Sequence, residues 1–507
     1  MRAFTVRGVL ATSLMALPMS VFANEDMAER MATLEKQVEA LTAELKAMQQ
    51  QRREQDKQLE IMTRESVGIT HQVARVKISK SEEEGAVKGT PVLATFKDGI
   101  TFEDGTGIWK LGINGRVQAD HRQFSPDENG ADSFSLRRAR LGATLTFYKD
   151  YTARVEGEYA GGNTSLTYGY IDINKFQVAR LRVGQFKPAY GLERSMSTNF
   201  TDFQERSMAD ALLGNSFDRG LMLFGSPFPG VNYSVAYING TGTVDETDVE
   251  TDSQDAMARL TANVAEFAGW QDAVLHVGGF YSSGRQGSAR QANFIPTIQT
   301  EGRGLQFFRT NCAASACGSM TIGGFAEDVE RMRGGYETAL AYGPVKLQGE
   351  YILTSFRGAD FERDMHAWYA SALWNITGEK FADMYKEGIF GRLKPKNNLK
   401  ENHNGWGAFQ LGLRYGRFDG SDFKSDNAAG TGVLLSSASS TADGLLVATN
   451  KADAWTLGLN WILNPNVRLI TNYVRTRFDT PVLVRVDGVN ESLDQEEALT
   501  MRAQFDF

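Results

Sequence analysis

The chain has 507 residues, of which 42% are hydrophobic, and a formal net charge of −8. Its mean hydropathy is −0.33, and no run of about 18 apolar residues occurs, which excludes a protein that spans a membrane with helices. The 51 glycines, 30 phenylalanines and 16 tyrosines, against only 11 prolines, favour a large sheet with many tight turns and bands of aromatic residues.

The first residues have the pattern of an export signal. Arg2 and Arg7 form a positive segment, residues 9–17 are apolar, and Ala23 ends a cleavage site of small residues. The pattern predicts a signal peptide over 1–23 that is removed before Asn24.

The next segment, 24–66, predicts a periplasmic α-helical coiled coil. Apolar residues recur at 4-3 spacing from Met27 to Met62, without Gly or Pro, so the helix has one apolar seam. Such a seam is buried most simply against copies of itself, although packing of the helix on its own barrel stays open. Arg52 and Gln55 interrupt the seam and weaken it. We interpret 67–104 as a linker.

From residue 105 to residue 507 the apolar period changes to two. Leu111, Ile113 and Val117 alternate with Asn114 and Arg116, as expected for strands with one lipid-facing and one wet side. This alternation predicts about sixteen strands, near 108–120, 134–148, 151–160, 165–174, 180–187, 218–226, 231–239, 256–264, 273–282, 330–342, 345–353, 365–376, 405–416, 453–463, 467–476 and 498–507.

The connections between these strands are alternately short and long. Two-residue to four-residue turns occur at 149–150, 227–230, 343–344 and 464–466. They alternate with long polar loops near 125–133, 188–217, 240–255, 283–328, 354–364, 419–452 and 478–496. Short turns on one rim and long loops on the other are typical of an outer-membrane barrel, and sixteen strands leave an aqueous channel. The predicted fold is therefore an all-β transmembrane barrel of antiparallel strands with an N-terminal coiled coil, in the outer membrane of a Gram-negative bacterium.

The two cysteines, Cys312 and Cys317, lie in one predicted loop. In an oxidising compartment they are expected to form a disulfide that closes a small ring. A metal site would need further ligands, and no histidine is close in sequence, so no metal or other cofactor is expected.

The last ten residues form a clean alternating strand that ends at Phe507. Met501, Phe505 and Phe507 would face lipid, while Arg502 and Gln504 would face water. A terminal phenylalanine of this kind resembles the signal read by the barrel-assembly machinery, which we therefore expect as a partner.

Several segments in the barrel resemble the phosphate-selective porin O and P family, in the order that the family has them. They are 134–141, 181–194, 218–220, 347–351, 376–379 and 456–468. The resemblance covers about 105–507 and implies a homotrimer of sixteen-stranded barrels, surrounded by outer-membrane lipid and lipopolysaccharide. It also implies a third loop, here about 188–217, that folds inward and narrows the pore.

The resemblance implies that arginines line the water path and bind anions such as phosphate or polyphosphate. The family's motifs place Arg116, Arg137, Arg138 and Arg194 there. Alternation independently places on the wet face Arg116, Arg138, Arg140, Arg154 and Arg182. Positive charges in a channel concentrate anions.

Two alternatives apply to single arginines in this set. Arg137 has the wrong parity for the wet face unless a β-bulge intervenes. Arg154 has a second interpretation, in which it pairs with Glu156, Glu158 or Asp172 and only braces the wall.

The chain departs from the phosphate-specific pattern in its fifth loop. That loop has only scattered arginines, namely Arg285, Arg290, Arg303 and Arg309, and the fourth loop is rich in acidic residues. We therefore expect passive diffusion of small anions, with selection of phosphate over chloride left open.

Three other functions are alternatives to an anion channel. A sugar or general solute porin would need an aromatic track along the lumen, whereas most aromatic residues have lipid-facing parity. An outer-membrane hydrolase would need a nucleophile and a base, but His276 and His366 have no catalytic motif beside them. A structural tether, in which the coiled coil matters most, stays possible. No enzymatic activity and no nucleic-acid partner are expected.

Overall fold

The computed structural model describes residues 92–96, 99–126, 132–162, 164–243, 254–286, 296–310, 329–358, 362–400, 405–423, 445–447, 449–486 and 489–507. The predicted signal peptide and coiled coil, most of the predicted linker, and the predicted Cys312–Cys317 disulfide lie outside these residues and stay predictions.

Sixteen strands in the described part of the chain form a closed antiparallel barrel, as predicted. Each pairs with the next, and the last pairs with the first, which closes the sheet on itself. In chain order they are β3 (Trp109–Ser125), β4 (Ser133–Phe147), β5 (Tyr151–Glu158), β6 (Ser165–Phe176), β7 (Ala179–Phe186), β8 (Asp218–Phe228), β9 (Val231–Ile238), β10 (Asp255–Asn263), β11 (Ala273–Gln286), β13 (Val329–Tyr342), β14 (Val345–Arg357), β15 (Glu362–Asn375), β18 (Ala408–Asp419), β20 (Lys451–Asn464), β21 (Val467–Val486) and β22 (Val489–Asp506).

The other elements are short. The strands are β1 (Val92–Phe96), β2 (Ile100–Asp104), β12 (Phe308–Thr310), β16 (Tyr385–Lys386), β17 (Ile389–Phe390) and β19 (Leu445–Val447). The helices are α1 (Leu192–Ser195), α2 (Met208–Ala211), α3 (Val264–Phe267) and a 3₁₀ turn over Phe381–Met384. No helix in the described ranges is long and apolar enough to cross a membrane.

The alternation of side chains separates a lipid-facing surface from an interior, as the sequence predicts. In β22, Leu499, Met501 and Phe505 are exposed on the outside, while Arg502 and Gln504 are buried on the inside. The same parity holds in β20 and β18. Successive side chains of a strand point to opposite faces, so the polar residues of every strand converge in the lumen.

A hairpin formed by β1 and β2 lies where the sequence predicts only linker. Strand β2 pairs with the first residues of β3, from Lys110 to Ile113, on the edge that β22 leaves when it ends. A strand edge must have its backbone groups bonded where water is absent. The hairpin supplies these bonds to Lys110–Ile113 of β3, where β22 no longer pairs with it.

One connection breaks the predicted pattern of short turns on one rim. Strands β15 and β18 are joined by residues 376–407 at the rim where the other turns are short, which is the periplasmic rim in barrels of this type. This periplasmic connection carries the 3₁₀ turn and the small hairpin of β16 and β17. It has little regular apolar alternation, so strand periodicity gave no indication of its fold.

The chain ends at the seam between β22 and β3. The backbone N–H of Phe507 donates to the Gly115 oxygen (3.0 Å), and the Gly115 N–H donates to the Phe507 oxygen (2.9 Å). The Phe507 ring also lies over Gly115, since a Cβ added there would be 2.7 Å from the ring. Phe507 therefore completes the closing pair at the periplasmic end.

Removal of Phe507, or its replacement by Asp, should lower the amount of folded, heat-modifiable barrel. The closing pair loses its last contact, and a loss of about 1–2 kcal/mol is enough to change abundance several-fold. Gel mobility with and without heating measures the folded fraction. Leu340→Ala in β13, an outward change on strands that do not form the seam, serves as the control. Equal folded levels in all variants would contradict this role.

Candidate pore constriction

The third loop, residues 187–217 between β7 and β8, lies inside the barrel. It bonds to strands on the far side of the lumen: Asn460 of β20 donates to the Asp202 oxygen (2.7 Å), and Arg468 of β21 donates to the Thr201 oxygen (3.1 Å). On its other flank, Arg116 of β3 donates to Thr198 Oγ1 at 2.6 Å. The inward fold predicted for this loop is thus present.

A strand carboxylate holds the beginning of the loop. Glu350 of β14 accepts hydrogen bonds from the backbone N–H groups of Leu192 (2.9 Å) and Glu193 (2.6 Å), at the start of α1. Glu350 also accepts from the Tyr369 hydroxyl at 2.7 Å. The N–H groups at the start of a helix have no partner within the helix, and the two Glu350 side-chain oxygens accept their hydrogen bonds. The strand wall therefore fixes the backbone of the loop directly.

An aromatic residue fixes the middle of the loop against two glycines. The Phe203 ring lies against Gly412 of β18 and Gly458 of β20, where an added Cβ would come within 3.0 and 2.9 Å of the ring. The guanidinium of Arg414 lies 4.6 Å from the ring centroid. Only glycine leaves room for the ring at these two positions.

The tip of the loop carries one carboxylate that is surrounded by arginines. Glu205 lies 2.7 Å from Arg502, 3.0 Å from Arg137, 3.2 Å from Arg122 and 4.0 Å from Arg303. Burial alone would raise the pKa of Glu205, but these guanidinium groups hold that pKa well below its usual range. Glu205 therefore stays ionised. Arg502 and Arg122 also pair with Asp120, at 2.6 Å and 2.5 Å, so four guanidinium groups face two carboxylates and two positive charges remain unbalanced.

The β-bulge on which Arg137 depends is present. In the pairing of β3 with β4, Gln118 opposes Arg138 while Ala119 opposes Leu136, so Arg137 is the extra residue. Both arginines consequently point inward. Arg138 is buried and donates to Gln118 Oε1 at 2.8 Å, and Arg137 reaches Glu205. A bulge places neighbouring residues on one face, which plain alternation cannot do.

A second arginine group surrounds Glu156. This carboxylate lies 2.6 Å from Arg154, 3.4 Å from Arg140 and 3.5 Å from Arg116, and Arg140 also pairs with Glu158 at 2.6 Å. Arg154 thus makes the wall-bracing pair that was the alternative for it. The group as a whole has three guanidinium groups for two carboxylates.

Two other predicted arginines are fully engaged by neighbours. Arg182 forms a two-bond pair with Asp172 (2.7 and 2.8 Å) and lies over the Tyr170 ring. Arg194 pairs with Asp210 at 2.6 Å and donates to the Asn215 oxygen. Arg194 therefore braces the third loop itself, and Arg182 braces the wall.

A cavity of about 370 Å³ lies between the third loop and part of the fifth loop. Its lining includes six arginines and three carboxylates, an excess of three positive charges. The arginines are Arg137, Arg138, Arg194, Arg206, Arg303 and Arg331, and the carboxylates are Glu205, Asp210 and Glu301. An arginine excess at a narrow, low-dielectric passage favours anions over cations.

The fifth loop also enters the lumen, which the sequence did not predict. Within 296–310, Glu301 is buried and pairs with Arg414 at 2.7 Å. It also accepts a hydrogen bond from Thr456 at 2.6 Å. Arg303 reaches the cavity from this segment, while Arg290 lies outside the described residues and Arg285 is exposed.

The periplasmic connection narrows the other end of the lumen. Lys346 of β14 is buried, lies 4.2 Å from the Phe390 ring centroid and pairs with Asp202 of the third loop at 2.8 Å. His276 contacts Tyr385 (2.6 Å) and Glu337 (3.2 Å), an arrangement that joins the connection to the wall. His366 stacks on Tyr351 at the outer face.

Three arginines that line the cavity were not among the predicted site residues, and the alternation of side chains along a strand could have identified one of them. Arg331 lies on the inward face of β13, where every second residue is buried. Arg206 and Arg303 lie in loops, where no period relates sequence to direction. Only the packing of the loops on the wall places those two arginines at the cavity.

The geometry agrees with comparisons to known proteins. The model of the phosphate-selective porin O and P family matches residues 111–507. Porin O of Pseudomonas aeruginosa is 25% identical over 443 residues, covering 83% of this chain and 95% of that protein.

Two solved structures have a similar fold. One is an anion-selective porin from Comamonas acidovorans, with 11% identity and a TM-score of 0.48, covering 79% of this chain and 100% of that one. The other is the outer membrane channel DcaP of Acinetobacter baumannii, with 12% identity and a TM-score of 0.47, covering 82% and 100%. Both likenesses concern the fold alone.

The glycines beneath Phe203 provide a test of the constriction. Gly458→Ala should displace the ring and the third loop, because the new Cβ would lie 2.9 Å from Phe203. We expect a barrel that folds normally but has altered single-channel conductance. Gly112→Ala is the matched control, since its nearest neighbour would be 3.8 Å away. Equal conductance in both variants would show that the loop does not limit the current.

Proposed function

Since the chain belongs to the phosphate-selective porin O and P family, and is thus an outer-membrane channel, we propose that small anions diffuse through it and are selected at the arginine-rich third-loop constriction. The observation that carries this proposal is the excess of guanidinium groups over carboxylates around Glu205 and in the adjoining cavity. The whole-chain charge of −8 does not oppose it, because only charges at the narrow passage act strongly on a permeating ion.

The arrangement of inward aromatic residues supports an anion path over a sugar path. Tyr168 and Tyr170 of β6 face the lumen, but Arg154 lies 4.4 Å from the first ring centroid and Arg182 lies 3.9 Å from the second. Guanidinium groups therefore cover the ring faces on which a sugar would stack. The surface that β6 presents to the lumen is therefore formed by guanidinium groups and not by aromatic rings.

The remaining parts of the proposal rest on the sequence. We propose that the protein is a homotrimer, that 24–66 form a periplasmic coiled coil after removal of 1–23, and that the barrel-assembly machinery reads the end of β22. In this proposal, outer-membrane lipid and lipopolysaccharide surround the barrel. The chain is a channel by family, and the proposal includes no catalytic step.

The selectivity test changes three arginines that line the cavity and leaves Arg194, a brace of the loop, in place. In Arg137→Gln, Arg138→Gln, Arg303→Gln, three positive charges are lost while polarity is kept. The anion preference should fall several-fold, most clearly at low salt, where the Debye length is about 30 Å at 0.01 M. Zero-current potentials across a salt gradient measure it.

A control variant changes three outward arginines to glutamine, namely Arg357, Arg417 and Arg477. It should keep the parent's reversal potential, because these residues lie outside the water path. A parent channel that prefers cations, or a cavity variant with the parent's potential, would overturn the proposed selectivity.

Phosphate specificity is a separate matter. The fifth loop brings one described arginine, Arg303, to the cavity, so we expect millimolar phosphate to block chloride current weakly or not at all. Chloride conductance of single channels, titrated with phosphate, is the measurement. Strong block would identify a selective phosphate site and not a general anion preference.

A further inference from the structure

The outer face of the barrel carries a group of charges at the long-loop ends of β18 and β20 and beside them on β21 and β22, which extend further. We call it the outer rim patch; it consists of Arg417, Asp419, Lys451, Asp453, Arg475, Arg477, Asp479 and Glu497. These positions share the parity of exposed apolar residues such as Leu413, Leu457 and Leu499. The side chains therefore point away from the lumen, into the layer that surrounds the barrel.

The charges of the patch alternate across neighbouring strands. Arg417 of β18 opposes Asp453 of β20, which opposes Arg477 of β21. Arg417 also lies 3.7 Å from Asp479, and Arg475 lies 3.6 Å from Glu497. Arg417, Arg475 and Asp479 have side chains that are more than a third exposed. The carboxylates orient the guanidinium groups, together with Gln495, which accepts hydrogen bonds from Arg475 at 3.1 and 2.6 Å.

The height of the patch follows from the aromatic residues next to it. Two residues closer to the barrel middle, Tyr415 and Trp455 are in ring contact, with centroids 4.7 Å apart. Aromatic bands of this kind lie at the membrane–water interfaces. The patch is on the long-loop side of this band, opposite the rim where β22 ends. It therefore lies at the headgroup level of the outer leaflet.

Aromatic residues also lie at the other end of these strands. Near the periplasmic rim, Phe409 stacks on Trp461 with centroids 5.6 Å apart, so aromatic residues bracket these strands at both levels. An aromatic band marks contact with lipid headgroups.

We propose that the outer rim patch binds a phosphorylated glycolipid of the outer leaflet, with Arg417, Arg475 and Arg477 as donors to its phosphate groups. The planar guanidinium matches two phosphate oxygens at once. The patch has as many carboxylates as basic groups, so the oriented guanidinium groups, and not the net charge, would hold the phosphate. The inference rests on the proposed placement of the channel in the outer membrane, with its long loops outward.

The test compares the full-length protein with Arg417→Ser, Arg475→Ser, Arg477→Ser. Purified lipopolysaccharide is added to each in detergent, and the midpoint of thermal unfolding and the amount of bound lipid are measured. The parent should bind the lipid and become more heat-stable. The triple variant should bind several-fold less and gain little stability. The cavity variant described above loses the same number of charges from the lumen and should respond like the parent.

Two further arms make the result specific. Inorganic phosphate and phosphatidylglycerol vesicles should not reproduce the stabilisation; equal effects would reveal a general anion surface and overturn the lipid assignment. The three arginines changed to lysine should keep part of the binding, and this variant decides the matter if the serine variant does not fold.

The proposal would also be overturned if the serine and lysine variants bound as much lipid as the parent, or if the parent bound none. Conductance is recorded in parallel. A parent channel without anion preference would contradict the proposed function. The measured lipid binding would still test the outer rim patch.

Discussion

The structure depends on one constraint, namely that a sheet inside a bilayer must leave no strand edge without hydrogen bonds. Water cannot satisfy the edge there, so the sheet closes on itself. The closing pair joins β22 to β3, and the hairpin of β1 and β2 bonds the part of β3 that extends beyond Phe507. Closure then fixes which side chains point outward, and the rest of the architecture follows from that division.

The interior shows the second consequence of closure. Charged side chains collected inside a narrow barrel cannot remain separate, and they bind the segments that fold into it. Glu350 holds backbone N–H groups, Arg414 holds Glu193 and Glu301, and Arg502 holds Glu205. The same groups that brace the loops define the field of the pore, so structure and selectivity use one set of residues.

Much of the fold could be predicted from the sequence because a strand has an exact period of two. All sixteen barrel strands and the inward parity of Arg116, Arg138 and Arg140 follow from that period. Arg137 marks the limit of the rule: only the pairing of both strands reveals the bulge that turns it inward. Segments without a period, such as 296–310 and the periplasmic connection, are placed by packing on the wall, and no local pattern encodes that contact.

The position of the third loop in the chain has a consequence for biogenesis. Residues 187–217 are synthesised before most of the strands that hold them, since Glu350, Arg414, Asn460 and Arg502 all come later. The loop reaches its final place only when the last strands have joined the sheet. The selective passage is therefore among the last features to form, because it is complete only when the sheet has closed.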